Sequence, residues 1–223
     1  MGIISVEQTD RLYWLGRYSE RVYTTLRLYS ESYDRLIDME SYDYAEFCRR
    51  LDIPDVYGSK EAFKEKYPFD ETDPNSIFSN LLRAYDNAIV LREEIGSETL
   101  SYIQLAIYDM QKARVSRAPL IEMQSVMDNL LAFWGIADDS IDSEQIRNII
   151  KAGKRMERVD LFGRLHLSAG NVTREVHRLI PRLERSGIKY HKEGLEQLKN
   201  LMETGEIDYY KVVYEVEHLL EVS

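Results

Sequence analysis

Residues 5–36 read SVEQTDRLYWLGRYSERVYTTLRLYSESYDRL, and the spacing of their apolar side chains decides the fold class. Leu12, Leu15, Ser19, Val22, Leu26, Tyr29, Tyr33 and Leu36 step by three and four, which puts them on one face of a continuous helix with Ser19 as a polar hole. A half-buried strand would alternate every second residue instead. Ser5 with Gln8 three positions later is a capping box that opens this helix.

The same period continues outward. A short helix is expected around Tyr44 to Leu51, ended by Pro54 and Gly58, and Ser59 caps another that stops before Pro68. Asp73-Pro74 predicts a helix from Pro74 to Ile95, closed by Gly96. Ser97 opens the next, with Tyr102, Ile103, Ala106 and Met110 on one face, and Pro119 starts one that runs to Trp134. Gly135 with Asp138, Asp139 and Asp142 then predicts a turn before a long helix from Ser143 to about Leu167. Three more are expected at Asn171 to Arg185, kinked at Pro181, at Tyr190 to Met202 and at Asp208 to Val222.

With 44% hydrophobic residues among 223, the chain can bury an ordinary core. No glycine-serine linker divides it, so it reads as a single all-α domain over 1–223, a bundle of about eight to ten helices. Twenty-nine Lys and Arg against 39 Asp and Glu leave a net charge of −10, which argues against a nucleic-acid binder. Cys48 is the sole cysteine, so no intramolecular disulfide is expected, and no apolar run is long enough for a membrane span. The opening MGIISVEQTD has no basic stretch followed by an apolar one, and the expected location is cytoplasmic. The charge is uneven: residues 28–110 carry 8 basic and 18 acidic side chains, whereas 147–199 carry 13 basic and 6 acidic. The basic half is expected to face the acidic one or an acidic partner protein.

An internal repeat links the two long helices, expected over about 6–39 and 143–167. GRYSERVYTTLRL at 16–28 returns as GKRMERVDLFGRL at 153–165, with six of thirteen positions identical at an offset of 137. Gly16, Glu20, Tyr23 and Arg27 form one helical stripe, and Gly153, Glu157, Asp160 and Arg164 form its counterpart. If the helices cross antiparallel, Glu20 meets Arg164 and Glu157 meets Arg27 about a pseudo-twofold axis, with the glycines allowing close approach. Two chemistries fit. One is a buried polar lock that fixes helix register. The other is a ligand site in which Arg17, Arg21, Arg27, Arg158 and Arg164 fork onto a carboxylate or phosphate while the glutamates take an amine or a metal. In an enzyme, Glu20 or Glu157 would be the general base.

RLYWLGRYSER at 11–21, DPNSIFSNLLRAYDNAIVLREEI at 73–95, and FWGI followed by AGKRMERVD within 133–160 resemble the alpha-E domain family, bacterial all-helical proteins of unassigned function. The resemblance implies an association with circularly permuted ATP-grasp proteins and transglutaminase-like peptidases, and so a role in making or removing a peptide or amide-linked modification. Its motif positions fall on Trp14, Gly16, Arg17, Glu20, Arg21 and Arg27, on Gly153, Glu157, Arg158, Asp160 and Arg164, and on Arg83, Asn87 and Arg92 of the middle helix. The chain departs from the pattern at Tyr23, where the family often has an acid, and at Lys154, where it often has arginine.

Other chemistry is weakly signalled. Cys48 has no sequence-adjacent histidine, Glu215 and His218 form a single Glu-x-x-His where metal bundles use two, and no phosphate loop or nucleophile elbow occurs. No metal or cofactor is expected. Tyr209, Tyr210 and Tyr214 are candidates for an association surface, so an oligomer is left open. The expected function is an accessory, non-catalytic helical protein that binds an ATP-grasp ligase-like partner or a peptide-like or carboxylate ligand. The alternatives are an enzyme acting on amide linkages through the Glu/Arg residues and a structural oligomerisation module.

Overall fold

A computed structural model describes residues 4–39, 43–203 and 207–221. Within them the chain is all-α, with eleven helices and one isolated antiparallel bridge between Tyr190 and Leu220. The first helix, α1 (Val6–Asp38), opens as its sequence dictates: Gln8 N donates to Ser5 Oγ at 3.1 Å while Ser5 N donates to Gln8 Oε1 at 2.9 Å. These bonds satisfy two helix-end donors reciprocally. Then come α2 (Tyr44–Leu51), α3 (Lys60–Lys66), α4 (Ile77–Val90), α5 (Arg92–Ile95), α6 (Ser97–Val115) and α7 (Pro119–Ser140). The last four are α8 (Glu144–Arg164), α9 (Ala169–Ser186), α10 (Lys192–Glu203) and α11 (Tyr209–Glu217). Among the described residues, no helix is long and apolar enough to cross a membrane.

Four boundaries differ from expectation. Pro74 does not start the middle helix: Asp73 turns its carboxylate to Asn75 N and the Tyr57 hydroxyl, and Ser76 caps α4 by accepting from Ser79 N. That helix also divides at Leu91, which yields α5 as a separate turn. Gly135 is not a turn, because α7 continues through it to Ser140 with Phe133 and Ala137 buried on either side. A helical glycine costs only about 1 kcal/mol relative to alanine, which packing of this kind outweighs. The last helix stops at Glu217, and Val222 lies outside the described residues.

The chain divides into two compact units. One comprises residues up to Arg17 together with those from Ser143 onward, and the other is Tyr18–Asp142. In the first, Leu12 and Leu15 of α1 and Ile149, Met156 and Val159 of α8 are fully buried, as are Val172, Val176 and Leu179 of α9. Each such aliphatic side chain contributes about 2 kcal/mol of apolar burial. α11 packs against α8 where Gly163 lets Val213 approach, and the Tyr209 hydroxyl donates to Leu167 O at 2.6 Å. Gly187, at φ 76°, closes α9 in a left-handed conformation that glycine adopts without strain.

The second unit is organised by rings. Phe63 stacks on Tyr67 at 4.9 Å, Phe47 meets both edge-on, and Tyr29 of the α1 seam lies among them with its hydroxyl on Lys64 O at 2.8 Å. Such edge and offset pairs add to what burial alone gives. Cys48 is buried beside this cluster, and burial pushes its thiol up to about 11, far from the thiolate that nucleophilic catalysis requires.

Candidate functional site

Two glycines on two helices set the geometry of the first unit. A Cβ on Gly16 would lie 2.1 Å from Ile150 O and 3.0 Å from Lys154 N; a Cβ on Gly153 would lie 2.1 Å from Tyr13 O and 3.1 Å from Arg17 N. The contacts are reciprocal. Each glycine meets the carbonyl three residues before its counterpart and the amide one residue after it. Backbone therefore rests on backbone, and α1 and α8 come closer than any side chain would allow.

Arg17, one residue past Gly16, is carried over α8 by this crossing. Its Nε donates to Glu157 Oε2 at 2.6 Å and its Nη2 to Asp160 Oδ2 at 2.9 Å. The Glu157 side chain is fully buried, Asp160's is 5% exposed and Arg17's 12%. Asp160 also accepts from Arg164 Nε at 2.7 Å, and Arg164 continues to Glu217 of α11. The Arg17 guanidinium lies 5.3 Å from the centre of the Trp14 ring, a cation–π contact on its remaining side. Burial works against the Arg17 charge, but Glu157, Tyr13 and Asp160 more than offset it and hold its proton more firmly than usual. Asp160 is shifted the other way for an acid: burial first and the neighbouring Glu157 second raise its carboxyl above the ordinary range, against the pull of Arg17 and Arg164.

This arrangement corrects the expected pairing. Glu157 takes Arg17, whereas Arg27 is 65% exposed and bonds Glu31 of its own helix at 3.0 Å. Arg27 lies eleven residues beyond Gly16, about 16 Å along the axis, too far down α1 to act at the crossing. Arg164 reaches Asp160 and Glu217. Glu20 is fully buried in the second unit, where Thr24 Oγ1 donates to it at 3.0 Å. Also in that unit, half-buried Arg21 acts on the Tyr67 hydroxyl. Arg83 lies over the Tyr18 ring and donates to Pro74 O, Asn87 donates to Arg83 O, and exposed Arg92 donates to Ser97.

The chain matches the model of a family described as a predicted alpha-helical domain with a conserved ER motif, over residues 8–203. The chain belongs to the Alpha-E family. No curated protein and no solved structure matches it. Glu-Arg dipeptides stand at 20–21, 157–158 and 184–185. In this Alpha-E chain the one at 157–158 joins two ion clusters, because Glu157 faces Arg17 while Arg158 Nη1 lies 3.8 Å from Glu175 of α9.

The second of those clusters escaped sequence reasoning. Glu175, with its side chain 1% exposed, has four arginines within 4 Å: Arg155 at 2.6 Å, Arg178 at 3.0 Å, Arg174 at 3.7 Å and Arg158. Only the basic excess of 147–199 hinted at it. Burial, and then the adjacent Arg158 and Arg178, hold Arg155 below the usual arginine range although Glu175 pulls it up. Elsewhere, the His218 ring stacks on Tyr214 and its Nδ1 lies 2.7 Å from Tyr214 O. Among the described residues, no group of three His, Cys, Asp or Glu is placed to hold a metal ion. Tyr209 stacks on His166, while Tyr210 and Tyr214 are exposed.

Proposed function

We propose that this Alpha-E chain is a bacterial, cytoplasmic, accessory protein without a reaction of its own. It works beside an ATP-grasp ligase-like partner in peptide or amide-bond modification and binds that partner or its peptide-like product. The observation that carries the non-catalytic part is the state of Glu157. A general base must reach a substrate proton, yet this carboxylate is fully buried and held by a guanidinium at 2.6 Å in a crossing with no room for a Cβ. Such a group serves register and geometry, as buried ion pairs do when they specify one packing. The association with an ATP-grasp partner is supported by the family resemblance.

The test mixes the chain with an ATP-grasp protein encoded beside an Alpha-E chain and follows sedimentation, ATP hydrolysis and amide formation. A stoichiometric complex is expected, with turnover that requires the partner. Amide-bond chemistry by the chain alone, lost in a folded Glu157→Gln variant, would establish the enzymatic alternative instead.

A further inference from the structure

In the second unit, the α6–α7 hairpin turns an apolar seam away from the core. The two helices are joined by residues 116–118 and run antiparallel, with Lys112 Nζ 2.6 Å from Glu122 and Asn129 Nδ2 donating to Asp109 Oδ2 at 2.8 Å. α6 buries Thr99, Ile103, Ala106, Met110 and Ala113. On its opposite side Leu105, Tyr108, Lys112 and Val115 step by three and four, all exposed, Tyr108 to 63% and Val115 to 83%. α7 buries Met123, Val126, Leu130 and Phe133 and turns exposed Ile121 and Asp128 and half-buried Ser125 and Ala132 the same way. An outward seam with this spacing is matched by another helix, and a polar-rimmed apolar patch marks an interaction surface.

The hairpin is also polarised along its length. Its turn end, residues 111–118, holds Lys112, Arg114 and Arg117 and no acid. Its open end holds exposed Glu98 in the first turn of α6 and exposed Asp139 in the last turn of α7. Arg114 bonds Glu71, which leaves exposed Arg117 and Lys112, with donors beyond the one on Glu122, as the cations of the turn end. Such a face complements itself when turned end for end. A two-fold axis across the helices sets Leu105 of one copy against Tyr108 of the other and each basic turn over the other copy's Glu98 and Asp139. An axis along the helices would set like charge on like. α6 spans about 28 Å, so two helix widths offer about 600 Å² per copy, at the lower edge of specific interfaces.

We infer that two copies of this chain associate through the outer faces of α6 and α7, antiparallel about a two-fold axis. Leu105 and Tyr108 form the centre, the basic turns sit on the acidic open ends, and small Ser125 and Ala132 let the two α7 helices approach. The surface differs from the α11 tyrosines expected from the sequence, where exposed Tyr210 and Tyr214 span a single turn. The inference does not depend on the proposed function.

Sedimentation equilibrium of the full chain over about 1–100 µM tests it. The wild type is expected at twice the mass of one chain, with association weakening as salt rises. Leu105→Glu/Tyr108→Glu, at exposed positions, should raise the dissociation constant about 100-fold or more while keeping helical circular dichroism and cooperative melting. Lys112→Glu/Arg117→Glu and Glu98→Lys/Asp139→Lys should each weaken self-association about ten-fold or more. Mixing those two variants should restore a dimer, because each reversed turn then meets a reversed open end. Tyr210→Glu/Tyr214→Glu should keep the wild-type mass. A wild type that stays monomeric to about 100 µM overturns the inference, whether or not another protein binds it. So does a dimer that Leu105→Glu/Tyr108→Glu leaves intact, or a mixture of the charge-reversed variants that stays monomeric.

Discussion

Glu157 on α8 and Glu175 on α9 are both buried carboxylates held by arginine, yet the first is bonded to an arginine that is itself nearly buried and the second reaches two that are half-exposed. At the glycine crossing, Glu157, Asp160 and Glu217 share Arg17 and Arg164. At Glu175, four arginines share one carboxylate. At the crossing, burial first and the neighbouring Glu157 second raise the Asp160 carboxyl above its ordinary range. The arginines around Glu175 do not titrate near neutral pH and keep their charge. The crossing is closed by backbone on backbone, whereas the Glu175 cluster ends at a cleft. The same two residue types therefore make a closed lock in one place and a half-exposed cluster in the other.

The comparison is broken most severely at the lock. Glu157→Gln is expected to lose about 3 kcal/mol or more of unfolding free energy in urea titration, because the Arg17 charge keeps only Asp160. Gly16→Ala and Gly153→Ala should each lose about 3 kcal/mol, and by similar amounts since their contacts mirror each other. Gly170→Ala, where an added Cβ meets nothing within 4 Å, is the control. Glu175→Gln is expected to cost about 2 kcal/mol, less than at the crossing because Arg174 and Arg178 can rehydrate.

A pH series sharpens the contrast at smaller amplitude. Asp160 titrates above its ordinary 3.8, so the stability it contributes is fully present below that pH and is lost as pH rises through the folded value. The advantage of wild type over Asp160→Asn should therefore shrink as pH rises above 3.8, and an advantage that grows would reverse the assignment. The smallest effect lies in the second unit. Gly135→Ala, in open space on α7, should raise stability by about 0.5–1 kcal/mol.

What could be read in the sequence was local. The capping box at Ser5 and Gln8, the cap at Ser59, the start of a long helix at Ser143 and Pro119 at the first position of α7 all stand where their residues predict them, since each depends on neighbours within four positions. Gly16 and Gly153 were legible as close-approach residues because a glycine inside a strong helix asks for a reason. Arg17 as the partner of Glu157 was not. The helical stripe selects Arg27 by spacing, but which arginine meets the second helix is fixed by where the two axes cross. The Glu175 cluster was hidden for a similar reason: its arginines come from α8 and α9, and only their excess over acids showed in the chain.

The most direct measurement is a double-mutant cycle on Arg17→Met and Glu157→Leu, read by urea unfolding. If the crossing is a buried ion-pair lock, each single variant loses about 3 kcal/mol or more, while the double variant loses far less than their sum, because the paired charges leave together and Asp160 keeps Arg164. Near-neutral single variants, or losses that add, would contradict the lock.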